Sequence, residues 1–541
     1  MAQCLVNRGL AEPEVIERFL HPRLKHLADP CLLPNMAAAV TSLLAARARG
    51  DLLVIFGDYD VDGVTATALL IESLTALGWK VAHYLPHRFD EGYGFSQEAV
   101  QHCLDQFPAK LLLAVDCGST ACETISALAD RGIGVIVLDH HQVSLPPPAA
   151  VALVNPQLGT HFQELCSAGL AFKLVHALVK KMREQGLAPA AEFDLRPCLD
   201  LAAMGTIADL VPLRDENRIL VTTGLARLNI SQRPGLLALR TVAKSPPVLG
   251  GYEVAFQLAP RLNAAGRMET AEDALRLLLA RDHAEAEPLA RALDEHNCWR
   301  QNIEREICEE AIGSLRGRFD GAKDFVIVEG RPQWHIGVVG IVAARVLREF
   351  YRPTIILGGD GGMWRGSGRS IEGFDLAAAL HSCRELLVRH GGHAMAAGLT
   401  LSAEKVDLFR AKLNELARAA LQPGQLQPSL MLDAQVTLAE LTTGQVEELA
   451  QLDPSGQGNP VVRFSIGGLR HQRPPQHLGR ENQHAKFHVT DGRQVMDALW
   501  WNCAQIPWPQ DNFDLAVTAD INEYKGRREV QLKVLDWRPA V

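Results

Sequence analysis

The sequence of 541 residues has no Cys-x-x-Cys pair, although it contains 11 cysteines. Closely spaced cysteines build structural zinc sites and disulfide frameworks, so we expect neither and predict reduced thiols. A Gly-x-x-x-x-Gly-Lys-Ser/Thr segment is also lacking, which argues against an ATP-driven motor. No apolar stretch has the length of a membrane span, and Glu12, Glu14 and Glu17 interrupt the region where a signal peptide would be apolar. We therefore predict a cytoplasmic protein.

The most informative feature that is present is the acidic segment Asp58-Tyr59-Asp60-Val61-Asp62-Gly63, which directly follows the apolar run Leu52 to Phe56. Such a run predicts a buried strand, and the turn beyond the carboxyl end of a strand is where open α/β sheets bind ligands. Carboxylates this close together repel one another unless water solvates them or cations neutralise them. Taken alone, the segment is either a solvated acidic turn or a metal site.

Two further apolar runs end in residues that can bind a divalent cation. Leu111 to Val115 leads into Asp116-Cys117-Gly118, and Val135 to Leu138 leads into Asp139-His140-His141. Asp209 interrupts a fourth apolar stretch, and buried carboxylates are rare unless they are paired or bound to metal. A lone buried His is more often a hydrogen-bonded core residue than a ligand, but the repeated strand-end pattern favours one shared metal site.

These motifs resemble those of the DHH phosphoesterase superfamily, and further segments are similar to the bacterial RecJ family of single-strand DNA exonucleases. The similar segments follow one another along nearly the whole chain: 57–63, Arg88 with 91–94, 116–118, 139–141, 205–213, 259–267, 334–343, 366–370, 391–398 and 456–460.

The resemblance implies a multi-domain α/β protein, and the length of the chain alone predicts three or four domains. Strands and helices are predicted to alternate up to about residue 225, residues 270–315 have a helical pattern, and short strands are predicted at 325–328, 354–357, 487–489, 515–521 and 529–534. We expect an N-terminal helical segment (1–45), a parallel-sheet DHH catalytic domain (46–225), a helical connector (226–322), a second α/β DHH-associated domain that binds substrate (323–421) and, after a linker, a C-terminal OB-fold β-barrel that binds nucleic acid (429–541).

The resemblance also implies the ligands of the metal site. It assigns them to Asp58, Asp60, Asp62, Asp116, His140, His141 and Asp209, with Asp58 the least secure because superfamily members differ there. Asp139 would orient the histidines. Asp116, His140 and His141 are the expected catalytic residues. Carboxylates and imidazoles without a thiolate suit Mn²⁺ or Mg²⁺. Two ions about 4 Å apart would share Asp116 and activate a water for in-line attack on phosphorus.

Substrate-binding residues follow from the same resemblance. Arg88, Ser367 and Arg369 would hold a 5′-terminal phosphate, Arg267 and His393 would contact the scissile or neighbouring phosphates, and Tyr93 belongs to the same set. The glycine-rich stretches 358–368 and 391–398 predict either backbone N–H groups that approach a phosphate or ordinary tight turns.

The charge of the chain gives little sign of a nucleic-acid partner. Its net charge is −9, with 54 basic against 63 acidic residues, but cations at the acidic site would offset part of this. Tyr524, beside Lys525 and Arg527 in a predicted hairpin loop, is the best candidate for stacking on a single strand. Most of the other C-terminal aromatic residues are expected in the core: Trp500, Trp501, Phe513 and Trp537.

The function implied by the resemblance is processive 5′-to-3′ digestion of single-stranded DNA to 5′-mononucleotides, in DNA repair and recombination. One alternative is a DHH phosphodiesterase for short substrates such as oligonucleotides, although the helical connector and the barrel would then have no purpose. Another is a non-catalytic scaffold that binds single strands, although the intact ligand set argues against it. The expected partners are DNA with a 5′ end, a single-strand binding protein and a helicase, and we expect a monomer.

Overall fold

The computed structural model describes residues 1–87, 91, 94–359, 362–504, 506–509 and 511–540. The chain forms two compact units. Unit 1 comprises Met1–Pro260, Ala274–Glu287 and Met431–Val541, and unit 2 comprises Arg261–Asp273 and Pro288–Leu430.

The first sheet of unit 1 has five parallel strands in the order β2-β1-β3-β4-β5. The strands are β1 (Leu52–Phe56), β2 (Lys80–Tyr84), β3 (Leu111–Val115), β4 (Gly134–Leu138) and β5 (Ala152–Val154). Their central members are buried on both faces, which explains why they read as unbroken apolar runs. The predicted bounds of β1 and β3 are confirmed, and β4 begins one residue earlier than predicted.

Helices make up much of the rest of the N-terminal part of the chain. They are α1 (Ala2–Asn7), α2 (Pro13–Leu20), α3 (Met36–Arg49), α4 (Val61–Ala76), α5 (Gln97–Gln106), α6 (Cys122–Asp130), α7 (Ser167–Glu184), α8 (Ala188–Ala191), α9 (Leu199–Ala208), α10 (Asp215–Ile230), α11 (Pro234–Ala243) and α12 (Gly251–Glu253). The predicted alternation of strands and helices up to residue 225 is wrong beyond Val154. The hydrophobic stretches there form the buried helices α7 and α9 instead, and a short apolar run does not distinguish a strand from a buried helix.

A π-helix (Val254–Leu258) continues α12 and leads into α13 (Ala259–Met268), α14 (Glu272–Leu279) and the long α15 (His283–Arg316). The predicted helical segment is therefore confirmed, and Pro288 lies inside α15.

The sheet of unit 2 has the order β6-β7-β8-β10-β9, with one parallel pair, β6 and β7. Its elements are β6 (Ile327–Gly330), α16 (Val339–Phe350), β7 (Thr354–Gly358), β8 (Met363–Arg369), α17 (Leu376–Ser382), β9 (Arg389–Gly392), β10 (Ala396–Ser402) and α18 (Val406–Ala420). The predicted strand 325–328 lies two residues later in the structure, at β6.

Within the predicted glycine-rich stretch 358–368, residues 363–368 belong to strand β8, so the interpretation of this part as a tight turn is wrong. β8 pairs with β7 on one side and β10 on the other, which engages its backbone groups in the sheet. A Cβ at Gly366 would lie 2.4 Å from Leu357 Cδ2, and one at Gly368 would lie 2.6 Å from Leu376 Cδ2. These glycines are needed for close packing, not for a backbone approach to an anion.

The C-terminal part of unit 1 contains β11 (Ala434–Gln435), α19 (Thr443–Leu449), β12 (Phe464–His471), β13 (Gln476–Leu478), β14 (His484–Thr490), β15 (Val495–Trp500), β16 (Phe513–Tyr524) and β17 (Arg527–Pro539). The strand order is β11-β12-β16-β17-β15-β14-β13, and β12 also pairs with β14, so five strands form a ring of neighbours. The three predicted strands are present but extend further at both ends.

Arg218 and residues 456–459 join this C-terminal part to the helical region that follows the first sheet. The buried guanidinium of Arg218 in α10 donates to the carbonyl oxygens of Phe19, Gln451, Asp453 and Pro454, and its Cζ lies 3.8 Å from the centroid of the Phe19 ring. Burial lowers the pKa of Arg218 to about 10, so the side chain keeps its charge at neutral pH.

The second contact is made by residues Gly456–Asn459, here called the glycine loop. Its Gln457 carbonyl accepts a 2.7 Å hydrogen bond from the N–H of Leu213. A Cβ on Gly458, whose φ is +70°, would lie 2.8 Å from Pro212 Cβ, and a Cβ on Gly456 would lie 2.7 Å from Leu213 Cδ1. Glycine at both positions therefore permits the loop to pack directly against Pro212 and Leu213.

Among the residues that the structure describes, no single helix has both the length and the apolar character to cross a membrane. One pair of helical segments, bent by 80° and covering Leu24–Leu32 and Met36–Arg49, passes the same test by length and composition alone.

Candidate functional site

The acidic segment occupies the turn between β1 and α4. Asp60 is the N-cap residue of α4, and its Oδ1 accepts a hydrogen bond from the N–H of Gly63 at 3.1 Å. Asp58 and Asp62 are both buried, each 1% exposed. A Cβ at position 63 would lie 2.7 Å from the backbone carbonyl oxygen of Asp58, so Gly63 lets the helix start close to the backbone of Asp58. The interpretation of the segment as a solvated turn is therefore wrong.

Asp116 lies at the end of β3 with a φ of +63°, a strained conformation for a residue with a side chain. Its N–H donates to the carbonyl oxygen of Leu138 at 3.0 Å, which ties the end of β3 to the end of β4. Its carboxylate is 1% exposed and accepts a 2.8 Å hydrogen bond from Ser167 Oγ. The strain and the burial both occur at the predicted ligand.

The amino end of α7 holds two of the predicted ligands, and sequence reasoning missed it. The N–H groups of Ser167 and Ala168 donate to the two carboxylate oxygens of Asp62 at 2.6 and 2.8 Å. The positive end of a helix dipole favours a carboxylate at this place. A Ser at the start of a strongly helical apolar segment was the available signal.

Asp139 orients the histidine pair. It accepts hydrogen bonds from the N–H groups of Ser119, His140 and His141 at 2.8 to 3.1 Å, and His141 Nδ1 lies 2.8 Å from its Oδ1. Burial opposes ionisation of Asp139, but these hydrogen bonds outweigh it and hold the pKa of this carboxyl well below its usual range. Burial alone would lower the pKa of His141, whereas its contact with Asp139 raises that pKa to about 9.

His140 is the centre of the carboxylate group. Its Nε2 lies 3.5 Å from Asp116 Oδ1, 3.5 Å from Asp209 Oδ2 and 3.9 Å from Asp62 Oδ2. This buried nitrogen makes no hydrogen bond to any residue that the structure describes. Burial lowers the pKa of His140, which favours a neutral imidazole whose lone pair can bind a metal ion.

Asp209 reaches the group from the C-cap position of α9. A Cβ at Gly205, one helical turn earlier, would lie 2.4 Å from Ala168 Cβ and 2.9 Å from Asp62 Oδ1. Glycine there lets α9 approach α7 and α4, which brings Asp209 beside His140. The following residue, Leu210, has a φ of +60° and leads into the turn against which the glycine loop packs.

The carboxylates of this site do not ionise together readily. Burial, and then the nearby carboxylates, raise the pKa of Asp116 well above its usual value, raise that of Asp62, and raise that of Asp209 to about 9. A divalent cation would relieve this repulsion. The predicted ligands fall into three groups in which one ligand atom of each residue lies within 4.8 Å of the others: Asp58 with Asp60 and Asp116; Asp116 with His140 and His141; and Asp62 with His140 and Asp209.

These residues fit Mn²⁺ or Mg²⁺. The donors are carboxylate oxygens and imidazole nitrogens, the kinds of ligand these hard ions accept, and no thiolate belongs to the three groups. The buried Nε2 of His140 supplies a donor atom that hydrogen-bonds to none of the described residues.

A second group of predicted residues lies in unit 2, around the amino end of α16. A Cβ at Gly340, in the first turn of this helix, would lie 2.9 Å from Ser367 Oγ and 3.3 Å from Arg369 Nη2. Arg369 Nη1 donates to Ser367 Oγ at 3.0 Å, and Arg267 Nη1 donates to the carbonyl oxygen of Gly337 at 3.4 Å. A helix amino end beside a serine and arginines has the chemistry of a phosphate site.

The remaining predicted residues are less completely placed. His393 is exposed in the turn between β9 and β10, where its N–H donates to the carbonyl oxygen of Ala396, the register partner of Arg369. Arg88 and Tyr93 lie outside the described residues.

The aromatic residues of the C-terminal sheet follow the prediction in part, because Trp537 is only partly buried and Trp501 is not in the core. Trp500 and Phe513 are buried, whereas Tyr524 is 67% exposed at the end of β16, with Lys525 Nζ 5.3 Å from the centroid of its ring. Trp501 is 51% exposed, so the expectation that it lies in the core is wrong.

A parallel sheet that gathers carboxylates and imidazoles into one buried group, followed in the chain by a second α/β sheet, defines a metal-dependent phosphoesterase of the DHH class. Protein-family comparisons agree. The DHH family N-terminal domain matches residues 52–206, the DHHA1 domain matches residues 323–419 and the RecJ OB domain matches residues 432–536.

The chain belongs to the RecJ family. It is 36% identical over 545 residues to the single-stranded-DNA-specific exonuclease RecJ of Bacillus subtilis, covering 99% of this chain and 67% of that protein. It is 35% identical to the RecJ of Escherichia coli, covering 97% of this chain and 93% of that protein. The crystal structure of RecJ from Thermus thermophilus in complex with Mn²⁺ matches with a TM-score of 0.85 at 32% identity, covering 100% of this chain and 76% of that chain. The Mg²⁺ complex of the same protein matches with a TM-score of 0.79 at 31% identity, covering 100% of this chain and 74% of that chain.

Proposed function

We propose that this protein is a metal-dependent exonuclease that degrades single-stranded DNA in the 5′-to-3′ direction and releases 5′-mononucleotides. The observation that carries the proposal is the buried group around His140 Nε2, where carboxylate oxygens surround a nitrogen with no hydrogen-bond partner among the described residues. The relatives named single-stranded-DNA-specific exonuclease match nearly the whole chain, which supports the choice of substrate. A role in DNA repair and recombination, inside the cytoplasm, follows from that substrate.

In this proposal two divalent ions are held by the residues predicted for them: Asp58, Asp60, Asp62, Asp116, His140, His141 and Asp209. Bound Mn²⁺ or Mg²⁺ would stabilise negative charge on the phosphoryl oxygens and make a water molecule acidic enough to attack phosphorus. The protein itself fixes the ligands. The amino end of α7 orients Asp62, Ser167 Oγ orients Asp116, and Asp139 orients the His141 ring.

We assign recognition of the 5′-terminal phosphate to Ser367, Arg369 and the amino end of α16, together with Arg88. Arg267 and His393 contact the scissile or neighbouring phosphates, and Tyr93 belongs to the same surface. The support in the structure is the cluster of Ser367, Arg369 and Gly340 in unit 2. We also propose that the enzyme acts as a monomer, on strands that a helicase has opened and that a single-strand binding protein covers.

The direct test is degradation of a labelled single strand. With Mn²⁺ or Mg²⁺, we expect 5′-mononucleotides from a 5′-labelled strand at the earliest times, and no product in chelator. A blunt duplex and a dinucleotide serve as controls. Cleavage of the dinucleotide but not of the long strand would identify a short-substrate phosphodiesterase, and binding of the strand without cleavage would identify a scaffold. Either result contradicts the proposal.

Replacement of Arg369 by Ala tests the phosphate site. Loss of a charge-assisted contact should lower the ratio of the rates on 5′-phosphorylated and 5′-hydroxyl strands by about tenfold or more. Arg365→Ala is the matched control, because Arg365 lies on the same face of β8 but pairs with Gly358 and Thr400, away from Gly340. An unchanged ratio in the Arg369 variant would remove this residue from the proposed site.

A further inference from the structure

Two aromatic side chains on the surface of unit 1 take no part in the site described above. Tyr252 and Phe256 are each 65% exposed, and their ring centroids lie 4.9 Å apart with an interplanar angle of 38°. Val248, which is 73% exposed, precedes them in the chain. Large apolar side chains exposed together mark a binding surface more often than chance exposure.

The backbone beneath these rings is firmly held. Asn229 in α10 donates from Nδ2 to the carbonyl oxygen of Leu249 at 2.9 Å and accepts from the N–H of Leu249 at 2.8 Å. Glu253 Oε2 accepts from the N–H of Gly250 at 2.8 Å. Tyr252 lies in α12 and Phe256 in the π-helix that continues it, and π-helical turns are frequent at functional sites. A fixed backbone lowers the entropy that binding must overcome.

The same surface is linked to the proposed metal centre through neighbouring elements of unit 1. The π-helix packs against α9, the helix whose C-cap residue is Asp209. A Cβ at Gly251 would lie 3.0 Å from the carbonyl oxygen of Ser455, the residue just before the glycine loop. The glycine loop in turn packs on Pro212 and Leu213, which follow Asp209. Residues 455–458 therefore lie beside both α12, which carries Tyr252, and the turn that follows Asp209.

Positively charged side chains lie on a helix that packs against the π-helix. α11 also packs against the π-helix, and its C-terminal end carries the half-buried Arg240 and the exposed Lys244. Aromatic rings next to cationic side chains form the surfaces that bind single-stranded nucleic acid, since the rings stack on bases and the cations attract phosphates. A duplex offers no unpaired base faces along its length, so this chemistry selects a single strand.

We propose that Tyr252 and Phe256 form a stacking platform for the bases of a DNA single strand whose backbone enters the metal centre. This inference rests on the function proposed above and extends it by a base-contacting site in unit 1. Binding to this platform is independent of the DNA sequence, because every base has an aromatic face.

The test measures equilibrium binding by the full-length protein in chelator, where no cleavage occurs. The probes are a fluorescent 5′-phosphorylated oligothymidylate and an oligomer of the same length that lacks the bases. Tyr252→Ala and Phe256→Ala should each weaken binding of oligothymidylate by about tenfold and leave binding of the abasic oligomer unchanged. Tyr252→Trp and Phe256→Trp should retain wild-type affinity, because they keep an aromatic face.

Val248→Ser separates stacking from general apolar contact. It removes an exposed apolar side chain that has no aromatic face, so we expect unchanged affinity for both oligomers. Equal losses on both oligomers, or no loss in either alanine variant, would overturn the platform. A loss of self-association without a loss of DNA affinity would overturn it in favour of a protein-docking surface. Failure of the wild-type protein to bind either oligomer would instead contradict the proposed function itself.

Discussion

Replacing Asp116 by Asn is expected to lower the rate of metal-dependent hydrolysis by about a thousandfold or more. A carboxylate oxygen of Asp116 lies within 4.8 Å of ligand atoms of Asp58 and Asp60 in one group, and within 4.8 Å of ligand atoms of His140 and His141 in another. Its loss would therefore weaken both proposed ion sites at once, and the stabilisation that such ions provide is worth several kcal/mol, a thousandfold in rate. Rates are measured on a labelled single strand with saturating Mn²⁺.

The Asp116 variant should fold normally, which separates the loss of activity from misfolding. Asn keeps an oxygen that accepts from Ser167 Oγ and removes a buried charge, so we expect the melting temperature in chelator to stay the same or to rise. Mn²⁺ should raise the melting temperature of the wild-type protein more than that of the variant. An ion that binds only the folded protein stabilises it, and the variant should bind Mn²⁺ more weakly. Asp130→Asn, at the exposed end of α6, is the control of equal charge change. Activity above about a tenth of wild type would contradict the assignment.

Replacing Arg218 by Ala is expected to lower the free energy of unfolding of unit 1 by about 3 to 5 kcal/mol. The substitution leaves the buried carbonyl oxygens of Phe19, Gln451, Asp453 and Pro454 without their donor, and each unsatisfied buried group carries a penalty of its own. It also removes the contact between the guanidinium and the Phe19 ring. Urea unfolding followed by circular dichroism measures the change.

Limited proteolysis gives a second readout of the Arg218 variant. Because Arg218 joins α10 to α2 and to residues 451–454, we expect faster cleavage around these residues than in the wild type. Arg214→Ala is the matched control, since Arg214 is largely exposed and pairs with Glu164 at the surface, where an ion pair is worth less than about 1 kcal/mol. Equal urea midpoints for wild type and the Arg218 variant would contradict the prediction.

The strands that carry the metal ligands were predictable because they are central strands of a parallel sheet. β1, β3 and β4 are buried on both faces and so appear in the sequence as continuous apolar runs that end in polar residues. Parallel neighbours bring their carboxyl ends to one edge, which places Asp58, Asp116 and His140 together. Asp209 was a candidate because it interrupts an apolar stretch, and the resemblance assigned it to the metal site, but its stretch is the end of helix α9 and not a strand.

Contacts between distant parts of the chain were not predictable. Glu216, Asn217 and Arg218 follow one another at the start of α10 and read as a solvated helical turn, yet all three are buried. Their partners come from other parts of the chain, such as Lys173 for Glu216 and Phe19 for Arg218. The glycines of β8 were misread for the same reason, because the side chains that fill the space beside them belong to other elements.

The glycine loop has a consequence for the order in which the enzyme matures. Asp209 is synthesised early, but the loop that packs on the following residues, Pro212 and Leu213, belongs to the last part of the chain. In a nascent chain whose residues 456–459 have not yet left the ribosome, the metal ligands that follow β1, β3 and β4 would already be present. The turn after Asp209 would still lack the loop that packs on it. We therefore expect nuclease activity to begin only after the C-terminal part has docked, so that a partly made chain does not degrade DNA.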